Sequence, residues 1–287
     1  MNAFELKVPG TLRAAVELLD ADDPTVRVIS GGTALMLMMK SDVFRPTRLV
    51  SLSGIEKEFS SMDVLPDGSF RIGAMTTLAQ LEKADDLAAF APVIRQTMRI
   101  LSTPRVRNVA TVGGALAHGD PHMDLPPVLV ALGAEIVALG RDGERRIPVE
   151  ELHTGYYETV LHGDELIKEV VIPPQQGRRA VYLKCTTRAM KDWPALGVAL
   201  SVDMTGDTAR DARLVIGAVS ERPLRVPEAE AVINGSSLSP EIIREASAAV
   251  ADTIETIPDE LGSAAYKTHL ARVYVERALN AAVSQNA

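Results

Sequence analysis

The sequence predicts an α+β chain made of two alternating helix-and-strand units and a third unit of different character. Three observations carry this. Helix-spaced apolar runs alternate with short strand-like runs through the first 170 or so residues. Pro173-Pro174-Gln175-Gln176-Gly177 then reads as a linker. Beyond it, strand signals come in succession and are followed by two long helical segments.

In chain order, Thr11 caps a helix whose apolar face is Leu12, Ala15, Val16 and Leu19, and Asp22-Asp23-Pro24 stops it before a strand over Val26 to Ile29. The pair Gly31-Gly32 follows, with a helix from Thr33 to Lys40 and a strand from Leu49 to Leu52 closing the first unit. The methionines of that helix, Met36, Met38 and Met39, read as core. The second unit runs to Ile172. It holds a strand at Phe70 to Gly73, a helix capped by Thr76-Thr77 through Leu81, and a helix around Ala91 to Leu101. A loop from Ser102 to Pro121 carries a second pair, Gly113-Gly114. A helix at Leu125 to Leu132 and strands at Ile136 to Leu139, Arg146 to Val149 and Leu166 to Ile172 complete it. In the third unit, strands are expected at Val181 to Thr186, Ala195 to Met204 and Ala212 to Val219, the last two joined by Gly206-Asp207. Ser239-Pro240-Glu241 opens a helix, and Ser263 to Val283 is a terminal amphipathic one.

The 287 residues suffice for one large domain or several small ones, each with its own core. At 46% hydrophobic and 24% charged, the composition is that of a soluble globular protein. Thirty Lys+Arg against 38 Asp+Glu give a net charge of −8 with the basic residues scattered, which argues against nucleic-acid binding. A lone cysteine, Cys185, excludes an intrachain disulfide, a cysteine-ligated iron–sulfur cluster and a Cys-rich zinc site. Met1 to Leu12 lacks the pattern of a signal peptide and no apolar run is long enough to span a bilayer, so cytoplasmic residence is expected.

Four segments carry candidate chemistry. Ser30-Gly31-Gly32-Thr33 sits where a strand passes into a helix, a place where backbone N–H groups can meet a phosphate; a tight connector is the plain alternative. Thr111-Val112-Gly113-Gly114-Ala115, in a loop with Thr103, Asn108 and His118, offers the same choice, and two such turns flanked by hydroxyls could grip a dinucleotide. Neither is a G-x-G-x-x-G or P-loop signature. In His118-Gly119-Asp120-Pro121-His122-Met123-Asp124, a metal reading is weakened because Gly119 and Pro121 break any helix between the histidines. Asp124 reads as a helix cap or as an acceptor for ribose hydroxyls. Finally, Lys184 to Pro194 places Cys185 and Trp193 among Lys184, Arg188, Lys191 and Asp192; Cys185 reads as buried, and Trp193 as core or as a wall against a planar ring.

Taken together, SGGTALMLMMK, TVGGALAHGDPHMDLP and YLKCTTRAMKDW, in this order and spacing, resemble the FAD-binding medium subunit of the molybdenum hydroxylases, the carbon monoxide dehydrogenase and xanthine dehydrogenase family. The likeness extends over essentially the whole chain, from FELKVPGTLRAAVELL to the terminal helix. It implies two α/β subdomains, about 1–55 and 56–175, forming a PCMH-type FAD-binding domain over 1–175. A smaller C-terminal domain over 178–287, with an antiparallel sheet and helices, would follow. The resemblance places cofactor contacts at Arg27, Val28, Ile29, Ser30, Gly31, Gly32, Thr33 and Ala34, and at Thr111, Val112, Gly113, Gly114 and Ala115. It adds Leu101, Asp124, Leu166 or Ile167, and Lys184, and sets Arg188, Asp192 and Trp193 near the flavin ring. It assigns no catalytic acid, base or nucleophile and no metal ligand to this chain. Many relatives read G-G-H-S where this chain has Gly31-Gly32-Thr33-Ala34, so the histidine contact of those relatives is absent here.

By the same resemblance, FAD on this chain collects electrons from 2Fe-2S clusters in a small partner subunit, after hydroxylation at a molybdenum cofactor in a large one. The acceptor would be a quinone, oxygen, NAD or another carrier, and the assembly a dimer of heterotrimers. A chain that cannot itself ligate a cluster would depend on those partners. Two other readings stand beside this one: a self-standing FAD-dependent dehydrogenase acting directly on a small molecule, with His118 or Arg188 as the residues to test, and a binding module without cofactor.

Overall fold

In a computed structural model of the chain, residues 3–55 and 57–285 are described; the domain limits expected at 1, 56 and 287 fall on residues outside these. The N-terminal unit contains β1 (Glu5–Lys7), α1 (Leu12–Glu17), β2 (Val26–Ile29), α2 (Leu35–Lys40) and β3 (Arg48–Ser51), with the strands parallel in the order β1-β3-β2. The Thr11 hydroxyl caps α1 by accepting from the Ala14 amide. Leu12, Ala15, Val16 and Leu19 pack with Val26, Val50 and Leu52 as their spacing requires, and the same cluster takes in Leu139 and Leu166 of the next unit. Strand β1 was not expected. Helix α2 starts at Leu35 rather than Thr33, because Gly32, at φ 67°, turns the chain and leaves Thr33 and Ala34 in that turn. Of its methionines only Met39 is buried; Met36 and Met38 are half-exposed, so the core expectation fails for two of three.

The middle unit contains β4 (Met62–Val64), β5 (Phe70–Gly73), α3 (Leu78–Lys83), α4 (Asp85–Phe90), α5 (Pro92–Ile100), α6 (Pro104–Arg107), α7 (Val112–Ala117) and α8 (Leu125–Ala131). It continues with β6 (Glu135–Gly140), β7 (Gly143–Pro148), α9 (Val149–Leu152), β8 (His153–Gly155), β9 (Glu158–Thr159) and β10 (Leu166–Ile172). Its main sheet is antiparallel in the order β4-β5-β10-β6-β7, and β8 pairs with β9. The loop expected from Ser102 to Pro121 holds two short helices instead. Thr103 and Thr111 cap them through their hydroxyls. Gly113-Gly114 is therefore not a turn but the first turn of α7. Gly113 serves close packing there: an added Cβ would lie 2.7 Å from the Cβ of Ala74.

The segment 173–177 carries no helix or strand, yet it is anchored: Gln175 is buried and its Nε2 donates to the carbonyls of Leu132 and Pro173. The last unit contains β11 (Arg178–Cys185), β12 (Leu196–Thr205), β13 (Thr208–Gly217), β14 (Leu224–Arg225), α10 (Pro227–Ile233), α11 (Pro240–Thr253) and α12 (Ala264–Ser284). Its sheet is antiparallel in sequence order. Gly206, at φ 61°, forms the β12–β13 hairpin, and β13 begins four residues before the expected Ala212. One row across the sheet, Tyr182, Ala199 and Val215, joins the core of the middle unit. The alternate positions Val181, Val198, Leu200 and Leu214 pack with residues of α10, α11 and α12. The sheet thus has two buried faces, and the face toward α8 is where the conspicuous polar residues converge.

Candidate functional site

The two glycine segments meet. Ser30 leaves the end of β2, Thr111 caps α7, and their hydroxyl oxygens are 2.9 Å apart. Contact is close because Gly31 has no side chain: an added Cβ would lie 1.9 Å from the Val109 carbonyl oxygen. Thr111 Oγ1 also accepts from the Gly114 amide at 3.2 Å. Gly114 itself is exposed, and a Cβ there would sit 2.8 Å from Ser30 Oγ and 3.0 Å from Thr111 Oγ1. That is a cradle lined by hydroxyls and backbone. Its amides are unequally available: those of Val112 and Gly113 donate to the carbonyls of Thr76 and Ala74, whereas those of Gly32, Thr33 and Ala34 enter no backbone hydrogen bond among the described residues. A neutral donor set of this kind suits a phosphate-bearing cofactor. Arg27, farther back on β2, is exposed, with its guanidinium 5.7 Å from the centroid of the Phe44 ring. Leu166 and Ile167 are both buried, in the N-terminal and middle cores respectively.

Asp124 stands at the N-cap position of α8, but its side chain makes no capping bond. It turns instead to β11, where Tyr182 OH donates to Oδ1 at 2.7 Å and Lys184 Nζ donates to Oδ2 at 2.9 Å. The cap expectation is corrected on that geometry: a buried carboxylate is better satisfied by a cation and a phenol than by one amide. Burial raises the Asp124 carboxyl pKa above its ordinary value, against the pull of Lys184 and Tyr182. Burial with the facing carboxylate drives the Tyr182 phenol well up, so it is a fixed donor. Gly197, paired with Lys184 across the sheet, leaves room for this contact, since a Cβ would lie 2.6 Å from Tyr182 OH. Lys184 Nζ also lies 3.5 Å from the Ile100 carbonyl, beside Leu101. Leu101 is buried, and its carbonyl accepts from Arg107 Nη1 at 2.9 Å. Sequence reasoning missed Tyr182 and Arg107. The signal for Tyr182 was its place two residues before Lys184, on the same face of a strand.

His118 and His122 are not joined by a helix: Gly119, at φ 68°, and Pro121 separate them, and no metal-ligating cluster is present among the described residues. His122 reaches Asp120 and Asp259. Trp193 is 52% exposed, so the core alternative for it fails; its ring stands edge-on to His122 with centroids 6.0 Å apart. Arg188 is exposed, while Asp192 Oδ2 accepts from the Ala189 amide and shapes the turn between them. Cys185 is half-buried rather than buried. Among the described residues no helix is long and apolar enough to cross a membrane.

Compared with protein-family models, residues 2–175 match the FAD binding domain in molybdopterin dehydrogenase, and residues 181–282 match the CO dehydrogenase flavoprotein C-terminal domain. The carbon monoxide dehydrogenase medium chain of Hydrogenophaga pseudoflava is 31% identical over 286 residues, with 97% of this chain and 96% of that one covered. The glyceraldehyde dehydrogenase medium chain of Sulfolobus acidocaldarius is 28% identical over 268 residues, covering 93% and 94%. Among solved structures, a chain of the Hydrogenophaga pseudoflava carbon monoxide dehydrogenase superposes with a TM-score of 0.94 at 31% identity, over 99% of this chain and 98% of that one.

Proposed function

This chain belongs to the family of FAD-binding medium subunits of the molybdopterin dehydrogenases, and from that premise we propose that it is the FAD subunit of a multi-subunit molybdenum hydroxylase, receiving electrons from the 2Fe-2S clusters of a small partner subunit and delivering them to an external acceptor. The observation that carries the reading is the contact of Ser30 with Thr111, which turns two distant glycine segments into one cradle beside an exposed Gly114. In this reading the segments Arg27 to Ala34 and Thr111 to Ala115 hold the diphosphate, and Asp124 and Lys184 engage the part of FAD beyond it. Leu101, with Leu166 or Ile167, lines the site, and Trp193 walls the ring. Bound FAD supplies the chemistry, accepting electrons and releasing them to a carrier. The chain's own residues bind and orient it. With a net charge of −8, phosphate binding rests on hydroxyls and amides at short range rather than on a basic surface.

Medium chains similar in sequence to this one are named for substrates as unlike as carbon monoxide and glyceraldehyde. That supports placing the organic substrate in the large molybdenum subunit of this proposal, with a dimer of heterotrimers as the assembly. The test is to purify the chain alone and together with its partner subunits, and to record flavin absorbance, mass and turnover. FAD in the preparation, with substrate oxidation only when the partners are present, is expected. Absence of flavin from both preparations overturns the FAD reading, and substrate oxidation by the chain alone overturns the subunit reading.

A further inference from the structure

Between α7 and the last unit lies a charged cluster that neither the cradle nor the Asp124 contacts use. Each ring nitrogen of His122 faces a carboxylate: Nδ1 is 3.2 Å from Asp120 Oδ1, and Nε2 is 3.0 Å from Asp259 Oδ2. A neutral imidazole has one N–H and can donate to only one of them, whereas an imidazolium donates to both. Asp259 is held by Lys267 of α12, whose buried ammonium donates to it at 2.5 Å and to the Ala218 carbonyl at 2.9 Å. On the other side, Asp120 Oδ2 accepts from Tyr157 OH at 3.2 Å. Asp259 thus has the Lys267 ammonium beside it, whereas the imidazole rings beside Asp120 are those of His118 and His122, and an imidazolium at 122 completes the balance. The Ala218 amide donates to the Pro121 carbonyl at 3.2 Å, so backbone as well as side chains join the segment to the last unit here.

We propose that His122 is a positioning residue for the cofactor: as an imidazolium bridging Asp120 and Asp259, it clamps the segment between α7 and Asp124 to the C-terminal unit, against whose Trp193 its ring stands, so that the hold on FAD weakens as His122 loses its proton. The inference rests on the reading of this chain as an FAD subunit. The groups facing the cluster are His118 and Asp120 from its own segment, Tyr156 and Tyr157 from the β8–β9 hairpin with Glu221 near Tyr156, and Asp259 and Lys267 from the C-terminal unit.

Of the two histidines in the cluster, His122 is the one whose surroundings favour the charged form. Burial alone would lower its pKa, but the hydrogen bonds to Asp120 and Asp259 and the charges of these carboxylates together raise it. Burial lowers His118 instead. For both Asp120 and Asp259 burial works upward, yet the hydrogen bonds and charge of His122 for Asp120, and of Lys267 and then His122 for Asp259, bring each carboxyl below the ordinary value. Burial raises both tyrosines.

The test is the dissociation constant of FAD in the assembled complex, read from the fluorescence of free flavin between about pH 6 and about pH 8.5. It is made on the native chain and on His122→Gln, with the His122 pKa read by NMR of the labelled imidazole in the native chain. The native complex is expected to lose about fivefold in affinity across the range, with a midpoint at the His122 pKa above 6.5. His122→Gln should bind more weakly and without slope. A flat native profile, an unchanged slope in His122→Gln, or a His122 pKa below 6.5 overturns the inference, and the NMR value decides even where the variant does not fold. A native complex that holds no FAD at any pH overturns the FAD reading itself.

Discussion

Ser30 and Thr111 are 81 positions apart in sequence and their hydroxyl oxygens are 2.9 Å apart in the fold. The contact needs Gly31, whose missing side chain lets the first segment lie against the Val109 carbonyl. Gly31→Ala places a Cβ 1.9 Å from that backbone oxygen, and backbone cannot rotate out of the way. The segments are expected to separate, with about 1–3 kcal/mol of stability lost to overpacking and with FAD content falling in parallel. Thermal melts and the ratio of flavin to protein absorbance check both.

Gly114→Val separates binding from stability. Its α7 position has ordinary helical backbone, and the atoms nearest an added Cβ are the Ser30 and Thr111 hydroxyls rather than backbone, so what loosens is the Thr111 cap. Folding should therefore lose about 1 kcal/mol, the worth of such a cap, while FAD affinity drops by at least about tenfold because the new side chain fills the cradle. Full retention of FAD would remove this segment from the site.

Lys184→Met strands the Asp124 carboxylate. The lysine side chain is 3% exposed and the aspartate side chain 6%, so the loss is that of one partner of a buried pair, about 3–5 kcal/mol. Without the ammonium, burial raises the Asp124 pKa further. A carboxyl whose folded pKa exceeds its unfolded value of about 4 binds its proton more tightly when folded, so stability falls as pH rises from there through the folded pKa. The variant should thus be weaker at pH near 7.5 than near 5, as urea titrations at the two values would show. Adding Asp124→Asn should recover part of the loss at the higher pH.

What the sequence made legible was local. Thr11, Thr77, Ser239 and Ser263 stand where helices start, and each accepts from the amide three residues on. The glycine segments were legible as patterns, but what makes them one cradle is a contact between β2 and α7 that no window of sequence contains. Helices α6 and α7 were missed because Pro104 and the pair Gly113-Gly114 read as loop formers; α7 is fixed from outside, by the Thr76 and Ala74 carbonyls. The contacts of Asp124 with Tyr182 and of His122 with Asp259 cross 58 and 137 positions. Asp124 looked like a cap because its position is one, and only the arrival of β11 draws its side chain elsewhere.

Arg107 offers a prediction about the turn that carries Leu101. Its guanidinium donates to the Leu101 carbonyl at 2.9 Å and the Ser102 carbonyl at 2.8 Å, and pairs with Glu82 at 3.0 Å. Ser102 sits at φ 48°, a left-handed conformation that a serine adopts at a cost, so the turn relies on those two bonds to persist. The side chain is 5% exposed, and Arg107→Met would leave both carbonyls without a donor in a buried place. A loss of about 2–4 kcal/mol is expected in urea unfolding, with weaker FAD binding if Leu101 lines the site. Arg107→Lys should rescue little, since a single ammonium cannot span two carbonyls and a carboxylate as the planar fork does. Glu82→Gln should cost under about 1 kcal/mol, because Glu82 is partly solvated and its amide would still accept from the guanidinium. Equal losses from Glu82→Gln and Arg107→Met would show that the ion pair, not the carbonyl contacts, holds the turn.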